Sequence, residues 1–322
     1  MRLIFCGSGS FAAPSLRAVV EAGHEVAMVV TQPPRPAGRG GHMRPTPLGQ
    51  DARQLALPVM EVRSINAEDS VAAIGELKPQ ALCVVDFGQL VRQEVRDLAP
   101  LGAFNLHGSL LPELRGAAPV NWAIIRGHRR TGVTTFSLVD RMDAGPIYLQ
   151  EALDIDPAET ADQLRQRLAE MGAGVVCRTL QMLSSGSAAP QPQDDSKATS
   201  APKLTKADGR LDFRDDAVSI RNRIHGAWSW PGGQCVFLGR SGRKVPVILA
   251  HAGVDPGDSH LEPGAVDAQG LVATGRGRLR IEQLQPAGRH LMAWRDFVNG
   301  YRVGEGDRFV RIEATGDELD GA

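Results

Sequence analysis

A chain of 322 residues exceeds what one ordinary hydrophobic core organises and points to about two domains. Its composition, 42% apolar and 23% charged, is that of a globular protein, and no window approaches the ~18 uninterrupted apolar residues of a membrane span. The net charge of −1 gives no global attraction for nucleic acid, and four widely spaced cysteines form neither a Cys-x-x-Cys motif nor a cluster with metal spacing.

The N-terminus enters an apolar run at residues 3–6 with no charged lead and no small-residue cleavage site, so a cytoplasmic protein is expected. Further apolar runs at 26–31, 58–61, 81–86 and 102–106 read as strands. Amphipathic stretches near 11–22, 67–77 and 159–183 read as helices. This alternation predicts an α/β domain, a Rossmann-like and mostly parallel sheet flanked by helices on both faces.

From Ser184 to Pro192 the chain is Ser, Gly, Ala and Pro rich, and a polar stretch follows to Ala201, which by composition is a linker. Beyond it, short apolar runs at 234–238, 245–250, 270–274 and 279–284 are separated by Gly and Pro clusters, as in a small OB-like β-barrel. The expected division is a domain over 1–184, a linker over 185–206, a C-terminal barrel over 207–310 and an acidic tail over 311–322. Charge follows the same division: residues 1–200 hold 19 basic against 21 acidic side chains, and residues 201–310 hold 16 against 12.

Two motifs carry candidate chemistry. The first, Gly7-Ser8-Gly9-Ser10-Phe11-Ala12, follows a strand and opens a helix, which satisfies a dinucleotide-binding fingerprint and by itself reads as an oxidoreductase. That fingerprint also needs an acid at the end of the second strand for the ribose, where this chain has Thr31-Gln32. The second, Asn105-Leu106-His107, ends a buried strand. Residues i and i+2 of a strand share a face, so both side chains project together at the carboxyl end of a parallel sheet, where open α/β folds bind ligands. A lone Asn-x-His is more often a turn cap beside a hydrogen-bonded core histidine.

The surrounding residues give the motif a context. Asn105-Leu106-His107 continues into Ser109-Leu110-Leu111-Pro112 and Arg115-Gly-Ala-Ala-Pro119, then Thr131-Gly-Val133 and Met142-Asp143-Ala-Gly145. Thr31-Gln-Pro33 and Arg35-Pro-Ala-Gly-Arg39-Gly40 precede it. Ala201-Pro-Lys203-Leu-Thr-Lys206, Leu284-Gln-Pro286 and Gly306-Asp307-Arg308 come after it. In this order, over almost the whole chain, the text resembles the folate-dependent formyltransferases, most closely those that act on methionyl initiator tRNA.

The resemblance implies transfer of a formyl group from 10-formyl-tetrahydrofolate to an amine by a monomer that uses no metal and no membrane. Asn105 and His107 would stabilise the oxyanion that develops on the formyl oxygen, with Asp143 favouring the histidine cation and relaying a proton. The folate would lie against Asp86, Phe87, Gly88, Gln89 and Leu90 and against Ser109, Leu110, Leu111 and Pro112. Initiator methionyl-tRNA would be met by Arg35, Arg39 and Arg44 of the loop after the second strand and by Lys203 and Lys206, with Phe11 receiving the methionine side chain.

The chain departs from the family text in three places. Gly7-Ser8-Gly9 stands where Gly-Thr-Pro is usual, Asp86-Phe87 where alanine and tyrosine are usual, and Gly41-His42 where the tRNA loop often has paired lysines. An amino sugar nucleotide is the alternative acceptor, because Pro119-Val-Asn121-Trp122 and Asp143-Ala-Gly145 also resemble the formyltransferases of aminoarabinose. A formyl-tetrahydrofolate hydrolase is a third reading.

Overall fold

The computed structural model describes residues 1–37 and 41–312. These fall into two units. Residues 1–119, 130–154 and 165–202 make the first, and 120–129, 155–164 and those from 203 onward make the second.

The chain begins with β1 (Arg2–Gly7), a 3-10 turn over Ser10–Ala12, α1 (Ala13–Glu21) and β2 (Glu25–Thr31). A short hairpin follows, β3 (Arg35–Ala37) and β4 (His42–Arg44), and then α2 (Pro47–Gln54). Pro47 opens α2, and Thr46 caps it by accepting the Gly49 N–H at 3.1 Å. Next come β5 (Val59–Glu61), α3 (Glu68–Glu76), β6 (Ala81–Val85), α4 (Gln93–Arg96), β7 (Ala103–His107) and α5 (Pro119–Ile125). The last elements of this part are β8 (Arg130–Ser137), β9 (Ile147–Asp154) and the 25-residue α6 (Ala161–Ser185).

The sheet order is β5-β2-β1-β6-β7-β8-β9. Pairing is parallel from β5 through β7 and antiparallel from β7 to β8 and β9. Every residue of β6 is buried, as expected for a strand covered on both faces. Ile4, Cys6, Val30, Leu82 and Val84 pack one face with Ile74, Phe87 and Val95. Successive strands run outward from β1 to β2 and β5, then restart on its other side at β6. The order therefore reverses between β1 and β6, and the crevice at their carboxyl ends is where such sheets take ligands.

The second unit carries α7 (Ala217–Ala227), β10 (Gly233–Leu238), β11 (Lys244–Asp255), β12 (Val272–Ala273), β13 (Arg278–Pro286), β14 (Met292–Ala293), α8 (Trp294–Tyr301) and β15 (Arg308–Val310). Its sheet is antiparallel in the order β12-β13-β11-β10-β15. Ala265 bridges to Arg308 of β15 while Val266 bridges to Val272 of β12, so the two edge strands are joined through one short segment and the sheet nearly closes into a barrel. Phe237, Phe297, Phe309, Leu249 and Leu284 fill it. Among the described residues no helix is long and apolar enough to cross a membrane.

Candidate active site

Asn105 and His107 stand two residues apart at the carboxyl end of β7, as strand geometry requires for a shared face. His107 is buried, at 6% exposure. Its Nε2 lies 2.9 Å from the Leu114 carbonyl. A carbonyl oxygen only accepts, so Nε2 carries a proton. The other ring nitrogen, Nδ1, faces Asp143 Oδ2 at 3.9 Å. That separation is an ion-pair distance and too long for a hydrogen bond. The same Asp143 oxygen accepts the Gly116 N–H at 2.8 Å.

The turn between residues 108 and 116 therefore holds both partners. Leu114 orients the imidazole and Gly116 orients the carboxylate. Gly116 has φ +125°, and a Cβ there would come within 2.6 Å of the Ala201 carbonyl oxygen, so only glycine permits this approach. Asn105 completes the group in a different state: its Oδ1 is buried and no donor among the described residues reaches it. A buried unpartnered acceptor beside a facing imidazole and carboxylate suits a site that a polar ligand completes.

Asp143 itself adopts φ +53°, an unfavourable backbone for a residue with a side chain, and the surrounding contacts hold it. Gln193 donates its amide to the carbonyls of Asp143 and Gly145, at 2.8 Å each, and accepts from Arg115 at 2.6 and 3.1 Å. Arg115 also reaches Asp195 at 2.8 Å, and Arg141 pairs with the same carboxylate. Thr199 Oγ1 accepts the Leu114 N–H at 2.8 Å, and Ala201 and Arg115 bond through their backbones. Compositionally a linker, the stretch from Gln193 to Ala201 is laid along the turns that carry His107 and Asp143, because its short polar side chains and open backbone meet theirs.

The residues expected around folate divide into two groups. Phe87 is buried in the core and Gln89 bonds Ile65 N–H at 2.8 Å and the Val62 carbonyl at 3.3 Å, so both side chains support the strand end. Asp86, Gly88 and Leu90 are exposed there. In the second loop Ser109 is fully buried and donates to the Glu113 carbonyl at 2.6 Å. Leu111 is buried too and donates its N–H to Thr134 Oγ1 at 3.1 Å. Leu110 and Pro112 are half-buried.

Phe11 sits buried in the 3-10 turn after β1. Arg35 and Arg44 are exposed register partners across the β3–β4 hairpin, and Arg35 donates to Gln32 Oε1 at 2.5 Å. Gln32 in turn donates to the Phe87 carbonyl at 2.9 Å, which ties the base of the hairpin to the end of β6. Arg39 lies outside the described residues. Lys203 and Lys206 are exposed and belong to the second unit.

The formyl transferase family model matches residues 1–180, and the model of the formyl transferase C-terminal domain matches residues 203–302. A methionyl-tRNA formyltransferase of Solibacter usitatus is 42% identical, over 96% of this chain and 98% of its own length. One from Koribacter versatilis is 40% identical, over 98% of this chain and all of its own length. Among solved structures, HypX from Aquifex aeolicus in complex with tetrahydrofolic acid aligns with TM-score 0.63 at 20% identity, over 95% of this chain and 48% of that one. The sugar 3N-formyl transferase WlaRD aligns with TM-score 0.61 at 14% identity, over 90% of this chain and 99% of that one. The two solved structures share the fold, the relatives match along nearly their entire length, and the chain belongs to the methionyl-tRNA formyltransferase family.

Proposed function

We propose that the protein transfers the formyl group of 10-formyl-tetrahydrofolate to the amino group of methionyl initiator tRNA, acting in the cytoplasm. The observation that carries this reading is the convergence of Asn105, His107 and Asp143 at the carboxyl end of β7, in a chain whose relatives are full-length methionyl-tRNA formyltransferases.

The transfer makes a bond from the acceptor nitrogen to the formyl carbon and breaks the bond from that carbon to the folate nitrogen, while one proton passes from the first nitrogen to the second. Negative charge develops on the formyl oxygen. Asn105 and His107 supply fixed donors for it, and such donors are commonly worth about 3 kcal/mol each. Asp143, facing His107 Nδ1, carries the proton away from the attacking amine. The unpartnered Asn105 oxygen is free to accept an N–H of the incoming amine. Main-chain groups of the Asp86–Leu90 segment, with Leu110 and Pro112, line the place for the folate ring, while Phe87, Gln89, Ser109 and Leu111 hold that lining in shape. Arg35, Arg39, Arg44, Lys203 and Lys206 take tRNA phosphates, and Phe11 bounds the methionine side chain.

The test is to offer the purified protein formyl-tetrahydrofolate with charged initiator tRNA and, separately, with an amino sugar nucleotide. Formylation of the tRNA at much the higher kcat/KM is expected. Preference for the sugar would overturn the acceptor, and release of formate without either acceptor would point to hydrolysis.

A further inference from the structure

Gly9 is a glycine that its own backbone does not require. It has φ −80° and ψ 170°, a conformation open to any residue. What excludes a side chain there is Asp86: a Cβ on Gly9 would fall 1.7 Å from Asp86 Oδ2 and 2.6 Å from Cγ. The carboxylate occupies the space that a larger residue at position 9 would fill. Both positions depart from the family text, with glycine in place of proline and aspartate in place of alanine. The two departures are sterically one change.

The place of this carboxylate follows from register. Gly7 pairs with Val85 across β1 and β6, and Val85 pairs with Leu106 across β6 and β7. One step further along, Ser8, Asp86 and His107 stand level at the carboxyl ends of three adjacent strands, spaced by about 4.8 Å per strand. Asp86 turns out of β6 at φ +49°, and its carbonyl accepts the N–H groups of Ser8 at 2.9 Å and Gly9 at 3.2 Å. The side chain is open to solvent, yet the surrounding protein desolvates it enough to raise its carboxyl above the ordinary range, an effect that Arg165 on α6 partly offsets. Asp86 stands where the sheet order reverses, one strand from His107 in register and with its carboxylate against Gly9.

Resting on the formyl-transfer reading, we propose that Asp86 is a specificity-determining residue that binds the ammonium form of the acceptor amine. The chemistry of the two substrates separates them. The acceptor arrives with a primary amine that titrates near neutral pH and is therefore partly cationic there. The reacting end of the formyl-folate is uncharged, and its glutamate tail is anionic. A carboxylate at the strand end next to that of His107 attracts the first and offers nothing to the second. The bound ammonium gives one proton to solvent before its lone pair can attack, and transfer to the resulting amine leaves a neutral formamide, so the attraction exists for the substrate and vanishes for the product.

The test measures KM for each substrate separately, together with inhibition by the formylated acceptor. Asp86→Asn, which keeps the shape and removes the charge, is expected to raise the acceptor KM about tenfold, as for loss of a charge-assisted hydrogen bond. The formyl-folate KM and the product inhibition constant should stay within about twofold. Gly9→Ala displaces the carboxylate and is expected to reproduce this split. In an Asp86→Ala background Gly9→Ala should have no further effect, because the obstructing group is gone. A rise in the formyl-folate KM with the acceptor KM unaltered would overturn the proposal, as would equal losses from Gly9→Ala in both backgrounds, or no change in either KM. A wild-type preference for an amino sugar would refute only the tRNA reading, since an amino sugar also presents an ammonium and the same split is then read on it.

Discussion

The side-chain amide of Gln193 donates to the carbonyls of Asp143 and Gly145 at 2.8 Å each, so a residue 50 positions further along the chain fixes the turn that aims Asp143 at His107. Removing it leaves two half-buried carbonyls without that donor and frees a backbone held at φ +53°. Gln193→Ala is expected to lower kcat about tenfold, on the order of the ~1.4 kcal/mol for a lost hydrogen-bonding group, with both KM values little changed. Gln193→Glu should fail equally, because a carboxylate cannot donate to carbonyls. Steady-state kinetics of the two variants check this, and normal kcat in Gln193→Glu would refute it.

His107 does two separable things, and two measurements distinguish them. As an oxyanion donor, its loss in His107→Ala should cost about 10²–10³ in kcat. As the buried donor to the Leu114 carbonyl at 2.9 Å, its loss should also cost about 1–3 kcal/mol of stability. Asn105→Ala should show the first effect without the second, since no donor among the described residues reaches its Oδ1 and nothing there is orphaned. Paired kinetics and urea denaturation read both.

Much of the fold was legible because buried parallel strands are continuous apolar runs: residues 3–6, 26–31 and 81–86 became β1, β2 and β6 within a residue or two. The 159–183 stretch became α6, Ala161–Ser185. The antiparallel pair β8–β9 did not announce itself, because Thr134 and Thr135 are buried polar residues whose hydroxyls need partners only the fold supplies. Thr134 donates to the Ser109 carbonyl at 2.7 Å, and Thr135 bonds Thr179 at 2.7 Å. At the site, Asn105 and His107 were legible from strand periodicity. Leu114 and Gly116 act through a carbonyl and an N–H that every such residue owns. Gln193 sits in a stretch whose composition reads as a linker. Main-chain partners and distant glutamines leave no pattern to read.

Lys203 and Lys206 are exposed, and if both neutralise tRNA phosphates, each should contribute to the salt dependence of binding. Lys203→Ala and Lys206→Ala are each expected to reduce the slope of log affinity against log salt by about 0.7–0.9. The KM for formyl-tetrahydrofolate should be unchanged. Filter binding of charged tRNA across a salt series checks the slope, and an unaltered slope would remove either lysine from the interface.

His225, in α7, makes the second unit sensitive to acid in a defined window. It is 1% exposed, stacked on His251 at 4.5 Å, and its Nε2 accepts the Ala252 N–H at 3.1 Å, so the fold requires the neutral ring. Burial, then the nearby charges of His251 and Arg221, push its pKa from 6.5 down to about 4, against smaller opposing pulls from the Pro157 main chain and from Glu282. Between those values the unfolded chain binds a proton that the folded one refuses. Stability is therefore complete above about pH 6.5 and falls as pH drops toward 4, by about 3 kcal/mol in all. Asp212 and Asp216, whose carboxyls are held below their ordinary 3.8, act in the same direction at lower pH, losing their contribution only as they protonate. All four tryptophans, Trp122, Trp228, Trp230 and Trp294, lie in the second unit, so their fluorescence reports its unfolding. Urea titrations at pH 7 and pH 4.5 should show the loss in the wild type. His225→Gln, which keeps an acceptor for Ala252 but does not titrate, should remove most of it; an equal loss in that variant would assign the effect to other groups.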